Sequence, residues 1–138
     1  MPTWSETQAY LRGKYLIASE DEGSLELLWE LGTPPEQSLI QRTRVERRRA
    51  FKEPWLLIVG ECCAESALDP REALRHNAKL GLATLALDGQ GYIVRHAAPL
   101  ETLSFADLDR ALEFVALEAS RVRLQKAADP EIYGTFAD

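Results

Sequence analysis

Between residues 25 and 46 the chain alternates with period two, and this constrains its fold more than any other feature. Leu25, Leu27, Trp29 and Leu31 are interleaved with Glu26, Leu28 and Glu30. After a Gly32-Thr33-Pro34-Pro35 break, Leu39, Gln41, Thr43 and Val45 fall on one face, with Ile40, Arg42, Arg44 and Glu46 on the other. Successive side chains of a strand point to opposite faces, so this pattern predicts two half-buried strands. The segment Phe51-Lys52-Glu53-Pro54 turns the chain again. The following run, Trp55 to Val59, is apolar at every position, which predicts a central strand covered on both sides.

Helices are marked around this strand block. Residues 4–12 read as a short first helix with Ser5 as cap and Gly13 as its end. Lys14 to Ser19 reads as extended, and Asp21-Glu22-Gly23-Ser24 supplies turn chemistry. Asp69 caps a second helix with Pro70 at its first position and Glu72 in a capping box, and Gly81 closes it. Leu82–Leu87 and Tyr92–Ala97 flank Asp88-Gly89-Gln90-Gly91 as a hairpin, ended by Pro99. Ser104 caps a last helix in which Phe105, Leu108, Leu112, Val115, Ala119 and Val122 form an apolar stripe. The expected class is α+β: helix, three to four antiparallel strands, helix, β-hairpin, C-terminal helix. Residues 1–125 form the domain, and 126–138 form a flexible tail with Ile132, Tyr133 and Phe136 as its apolar handles.

Composition limits the function classes. With 138 residues and a net charge of −6, the chain is large enough for one core and too acidic for a general nucleic-acid binder. No apolar run reaches the length of a membrane span and the start has no basic-then-apolar leader, so the expected location is the cytoplasm. Catalytic residues are not expected. The adjacent Cys62 and Cys63 cannot form a C-x-x-C pair, and they read as buried or half-buried thiols at a strand end. His76 reads as a helix-surface residue and His96 as a strand residue beside Arg95. No serine lies in a G-x-S-x-G elbow, and two lone histidines with two adjacent cysteines make no zinc set. Gly89-Gln90-Gly91 joins two strands and lacks a helix N-terminus for phosphate, so it is a turn, and no cofactor is expected. Asp107 and Asp109 read as solvent and helix-dipole chemistry. Asn77, on the apolar side of its helix, needs backbone partners from a neighbouring loop.

One segment has two readings. Arg42, Arg44, Arg47, Arg48 and Arg49 crowd one predicted strand, with only Glu46 among them. In the first reading Arg42 and Arg44 pair across strands with Glu26 and Glu30. In the second, the arginines form a patch for an acidic partner or for phosphates.

The runs Ala73–Ala78, Leu82–Asp88 and Tyr92–Leu100, preceded by the Trp55–Gly60 strand and followed by the Leu108–Val122 stripe, resemble the YbjN-like bacterial proteins, which share the fold of class I type III secretion chaperones. The resemblance covers residues 4–125. It implies a homodimer without catalytic residues that binds segments of a client protein. The chain departs from that pattern in an additional strand near Lys14–Ser19 and in the arginine-rich strand. The expected function is therefore a chaperone-like protein-binding module. The alternative is a nucleic-acid-associated regulator acting through the basic strand or through a partner.

Overall fold

The computed structural model describes residues 2–31, 39–89 and 91–127. Its elements are α1 (Trp4–Lys14), β1 (Leu16–Glu20), β2 (Ser24–Leu31), β3 (Leu39–Ala50), β4 (Glu53–Ala64), a short 3-10 turn (Glu65–Ala67), α2 (Pro70–Asn77), β5 (Thr84–Asp88), β6 (Gly91–Pro99) and α3 (Phe105–Ala127). The six strands form one antiparallel sheet in the order β1-β2-β3-β4-β6-β5. The expected α+β class and element order are present, with four strands ahead of α2. The Gly32–Pro35 break and the tail from residue 128 lie outside the described residues.

Local chemistry sets the boundaries. Thr3, not Ser5, caps α1, its Oγ1 accepting from the Glu6 amide at 3.1 Å. The helix runs through Gly13, because the Tyr15 amide still reaches the Leu11 carbonyl at 2.9 Å. The β1–β2 turn closes on Asp21, whose Oδ1 accepts from the amides of Gly23 and Ser24. Asp69 caps α2 through the Arg71 amide at 2.9 Å. That helix ends at Asn77 instead of near Gly81, passing into tight turn hydrogen bonds from Lys79 to His76 and from Leu80 to Asn77, while the Asn77 side chain pairs with β5. Its Nδ2 donates to the Leu85 carbonyl at 2.9 Å and its Oδ1 accepts from the Leu85 amide at 2.6 Å. The backbone partner expected for this residue is thus a strand. Asp88 pairs with Gly91 across a turn in which Gly89 takes φ +64°, a conformation glycine adopts without steric cost. Ser104 caps α3 as expected, accepting from the Asp107 amide.

All three helices lie on one face of the sheet. The α3 stripe Leu108, Ala111, Leu112, Val115, Ala116, Ala119 and Val122 is buried against Leu25, Leu27, Val45, Leu56, Ile58 and Val94. Each such Leu, Val or Ile side chain contributes roughly 1.5–3 kcal/mol when removed from water. Gly60 sets the distance of closest approach. A Cβ there would fall 2.9 Å from the Ala119 Cβ and 3.0 Å from Val115 Cγ1, so a larger residue would push α3 off β4. Gln41 is fully buried under α3 and completely satisfied: it accepts from Ser120 Oγ at 3.0 Å and donates to the carbonyls of Arg42 and Glu61.

Two side chains read as surface groups tie helices together. His76 is buried, and its Nε2 lies 2.7 Å from Glu118 on α3, which anchors α2 to the helical layer. The helix-surface reading fails because α2 packs with this face against α3. Asp109 is likewise no solvent group. Its carboxylate accepts from Tyr10, from Tyr15 at 2.5 Å and from Lys14 at 2.6 Å, joining α1 to α3. The Tyr10 and Phe105 rings stack at 4.2 Å beside it. Desolvation pushes the Asp109 carboxyl up, but the hydrogen bonds from Lys14, Tyr10 and Tyr15 outweigh it and hold the group below its ordinary range.

The uncovered sheet face as a candidate binding surface

β4 shows how the second face arises. Leu56, Ile58 and Gly60 face the helices, so Trp55, Leu57, Val59 and Glu61 must face the other way. Among the described residues no element covers this other face, which corrects the expectation of a strand buried on both sides. Register extends the face across the sheet: Arg44 opposes Val59, which opposes Arg95, and Glu46 opposes Leu57, which opposes Ala97. Arg42, Leu28, Ile40 and Ile93 belong to the same face. Ile40 is 58% exposed and Leu16, at the β1 edge, 66%. At its centre Val59 is buried by the side chains around it and Leu57 and Ile93 are half-buried, all interleaved with arginines.

The strand pleat divides the five predicted arginines. Arg42, Arg44 and Arg48 stand on the uncovered face, while Arg47 and Arg49 point to the opposite side of β3. Arg42 pairs diagonally with Glu26, as expected. Arg44 does not take Glu26 or Glu30 but folds along its own strand onto Glu46, and Arg48 reaches the same carboxylate at 2.7 Å. One carboxylate thus serves two guanidiniums. Arg47 lines an open groove of about 690 Å³ with Gln8, Glu20, Asp21 and Glu22, so it meets the acidic loop of this chain. Arg49 donates to the Lys52 carbonyl at 3.3 Å. Arg95, on β6, joins the uncovered face and makes no ion pair among the described residues. Its place there is decided by β6 inserting beside β4, which no local signal around Arg95 announces.

A groove of about 390 Å³ opens on this face where β3 turns into β4. Trp55, Leu57 and Ala97 are among its lining, Arg48 and Arg95 flank it, and Phe51 stands at its end. The Trp55 indole N–H is buried and has no hydrogen-bond partner among the described residues. The turn is a two-residue connection, Ala50 pairing with Glu53 around Phe51 and Lys52. Both turn residues take positive φ, 53° and 65°. Such turns favour Asn-Gly, and a side-chain-bearing residue in this region costs about 1–2 kcal/mol. Phe51 is also 94% exposed. The chain therefore holds an aromatic ring in solvent at a backbone position that disfavours it.

The groups weighed for catalysis have other engagements. Cys62 is buried with its thiol 3.6 Å from the Ala119 carbonyl, and burial pushes its pKa far up, so it holds its proton at neutral pH. Cys62, buried, and Cys63, half-buried, form no disulfide among the described residues and lie at a bulge near the end of β4. The His96 Nδ1 lies 2.7 Å from the Leu82 carbonyl, on a strand beside Arg95 as expected. Among the described residues no three His, Cys, Asp or Glu side chains are placed to share a metal ion, and no helix is long and apolar enough to cross a membrane. A scan against protein-family models gives no match, and no curated protein matches the chain.

Proposed function

We propose that this chain is a non-catalytic, chaperone-like protein-binding module that recruits or stabilises a partner protein and works as a homodimer. The observation that carries the reading is the uncovered sheet face, where Leu57, Ile93, Ala97 and Ile40 stand among Arg42, Arg44, Arg48 and Arg95. Sheet faces that retain apolar side chains without cover are binding surfaces or aggregation hazards, and interleaved charges suppress the second. The resemblance to YbjN-like proteins supports the same reading, because the order helix, strands, helix, hairpin, helix is the one it implies.

Direct nucleic-acid binding is the weaker alternative. On the uncovered face Arg42, Arg44, Arg48 and Arg95 are opposed by Glu26, Glu30, Glu46 and Glu61, a balance unsuited to following a phosphate backbone.

A photo-crosslinking amino acid at Ile40 or Ile93 tests the proposal in cell extract, against the same group at exposed Leu117 on α3. Protein adducts from Ile40 and Ile93, with none from Leu117, are expected. Equal adducts from all three positions, or none from the sheet face, would overturn it. Sedimentation equilibrium tests the dimer, and a single 15.5 kDa species at micromolar concentration would remove that part.

A further inference from the structure

We infer that the groove between Arg48 and Arg95 is a docking site for an extended acidic peptide segment carrying a bulky apolar side chain. The inference rests on the protein-binding reading above and gives it a place and a partner chemistry. Three observations independent of one another converge on this end of the sheet. The groove is lined by apolar surface from Trp55, Leu57 and Ala97, with two arginines and no carboxylate in its lining. The positive lining belongs to a chain of net charge −6, so it is a local inversion and not the general character of the molecule. Of the two guanidiniums, Arg48 shares its only carboxylate with Arg44, and Arg95 pairs with none among the described residues.

The second observation is the Trp55 indole N–H, buried at the groove without a partner. A buried donor left unpaired costs about 1–3 kcal/mol, which a carbonyl or carboxylate oxygen of an incoming segment would recover once the indole turns toward the groove. The third is Phe51, held at φ 53° and 94% exposed at the groove's end. Strain kept at a surface aromatic is explained by presentation: the ring forms a wall against which an apolar side chain packs. A peptide supplies what these groups can take: a carboxylate for Arg95 and a second one for Arg48, which shares Glu46 with Arg44, an oxygen for Trp55, and an apolar group between Phe51 and Leu57. An oligonucleotide carries a charge at every residue and would meet Glu46 and Glu61 on the same face, whereas a peptide can confine its carboxylates to the two arginines.

The test uses the full chain, isotope-labelled at nitrogen, and capped decapeptides with a central Leu-Phe pair flanked by four glutamates, four lysines or four serines. The Trp55 indole signal is assigned by its loss in Trp55→Phe. Expected is a saturable shift of that signal with the glutamate peptide, at least tenfold weaker binding of the other two, and at least tenfold loss in Arg48→Gln/Arg95→Gln. Phe51→Ala is expected to weaken binding several-fold while the spectrum stays folded. Equal binding of the lysine peptide, no shift of the Trp55 signal, or binding indifferent to the arginine variant would overturn the inference. So would tighter binding of a ten-nucleotide thymidine strand, which would favour nucleic acid. A Trp55 shift that follows protein concentration without peptide would overturn it in favour of a second copy. If adducts form at Ile40 and Ile93 while the glutamate peptide fails to bind the unsubstituted chain, the groove assignment falls and the broader reading stands.

Discussion

Two faces of one sheet differ in what closes them, and β4 carries both. Toward the helices it presents Leu56, Ile58, Gly60 and Cys62, all buried, with glycine at the point where α3 comes nearest. Away from them it presents Trp55, Leu57, Val59 and Glu61, where among the described residues cover comes only from neighbours on the same face. The first set is closely packed and Gln41 beneath α3 is satisfied, while the buried Tyr92 hydroxyl on this side has no hydrogen-bond partner among the described residues. The second keeps apolar groups, an unpaired indole N–H and a strained aromatic at its end. Natural sequences place such locally unfavourable choices where function needs them. Under the proposed function, one face serves folding and the other recognition.

Mutations can break this division. The largest effect is expected from truncation on the helical side: Leu56→Ala should cost about 3 kcal/mol in urea denaturation, whereas Leu57→Ala on the next position should cost under about 1 kcal/mol. Equal losses would mean that the second face is closed as tightly as the first.

A smaller effect follows from Asp109, which fastens the helical layer. Its folded pKa is depressed, so its contribution is fully present above the unfolded value of roughly 3.9 and is lost as pH falls through the folded value below it. Asp109→Asn should lower stability by about 1 kcal/mol at neutral pH, and the gap to wild type should close below the folded pKa. A gap that persists unchanged under acid would show that the charge contributes nothing.

The smallest effect has the opposite sign. Phe51→Asn with Lys52→Gly places the favoured residues in the β3–β4 turn and should stabilise the chain by up to about 1 kcal/mol, read as a rise in the denaturation midpoint. The same change should weaken peptide binding at the groove. Stabilisation with binding intact would detach the strain from function.

Period-two patterning made β2 and β3 legible, and capping residues made α2 and α3 legible, because these signals act within a few residues. The Phe105–Val122 stripe predicted which face of α3 enters the core, and all of its members but half-buried Phe105 are buried. The arginines were legible as a cluster but not as a surface. Alternation sends Arg47 and Arg49 away from Arg44 and Arg48, a division the strand period already contained. What it did not contain was Arg95. The sequence order places β5 before β6, yet β6 lies between β4 and β5, and only that insertion brings Arg95 opposite Val59 and beside the groove.

The same limit explains His76, Asp109 and Trp55. Each sits in a local pattern compatible with a simpler role, and each has its environment set by a partner far along the chain: Glu118 for His76, Tyr10 and Tyr15 for Asp109, Pro99 for Trp55. By itself the sequence determined the elements, their order and the α+β class, because helix caps, strand alternation and turn chemistry are short-range and energetically separable. Only the tertiary structure decided that all three helices gather on one side, leaving an apolar and arginine-bearing face uncovered. That choice depends on which strand edges and helix faces meet, a sum over distant contacts that no stretch of sequence expresses locally.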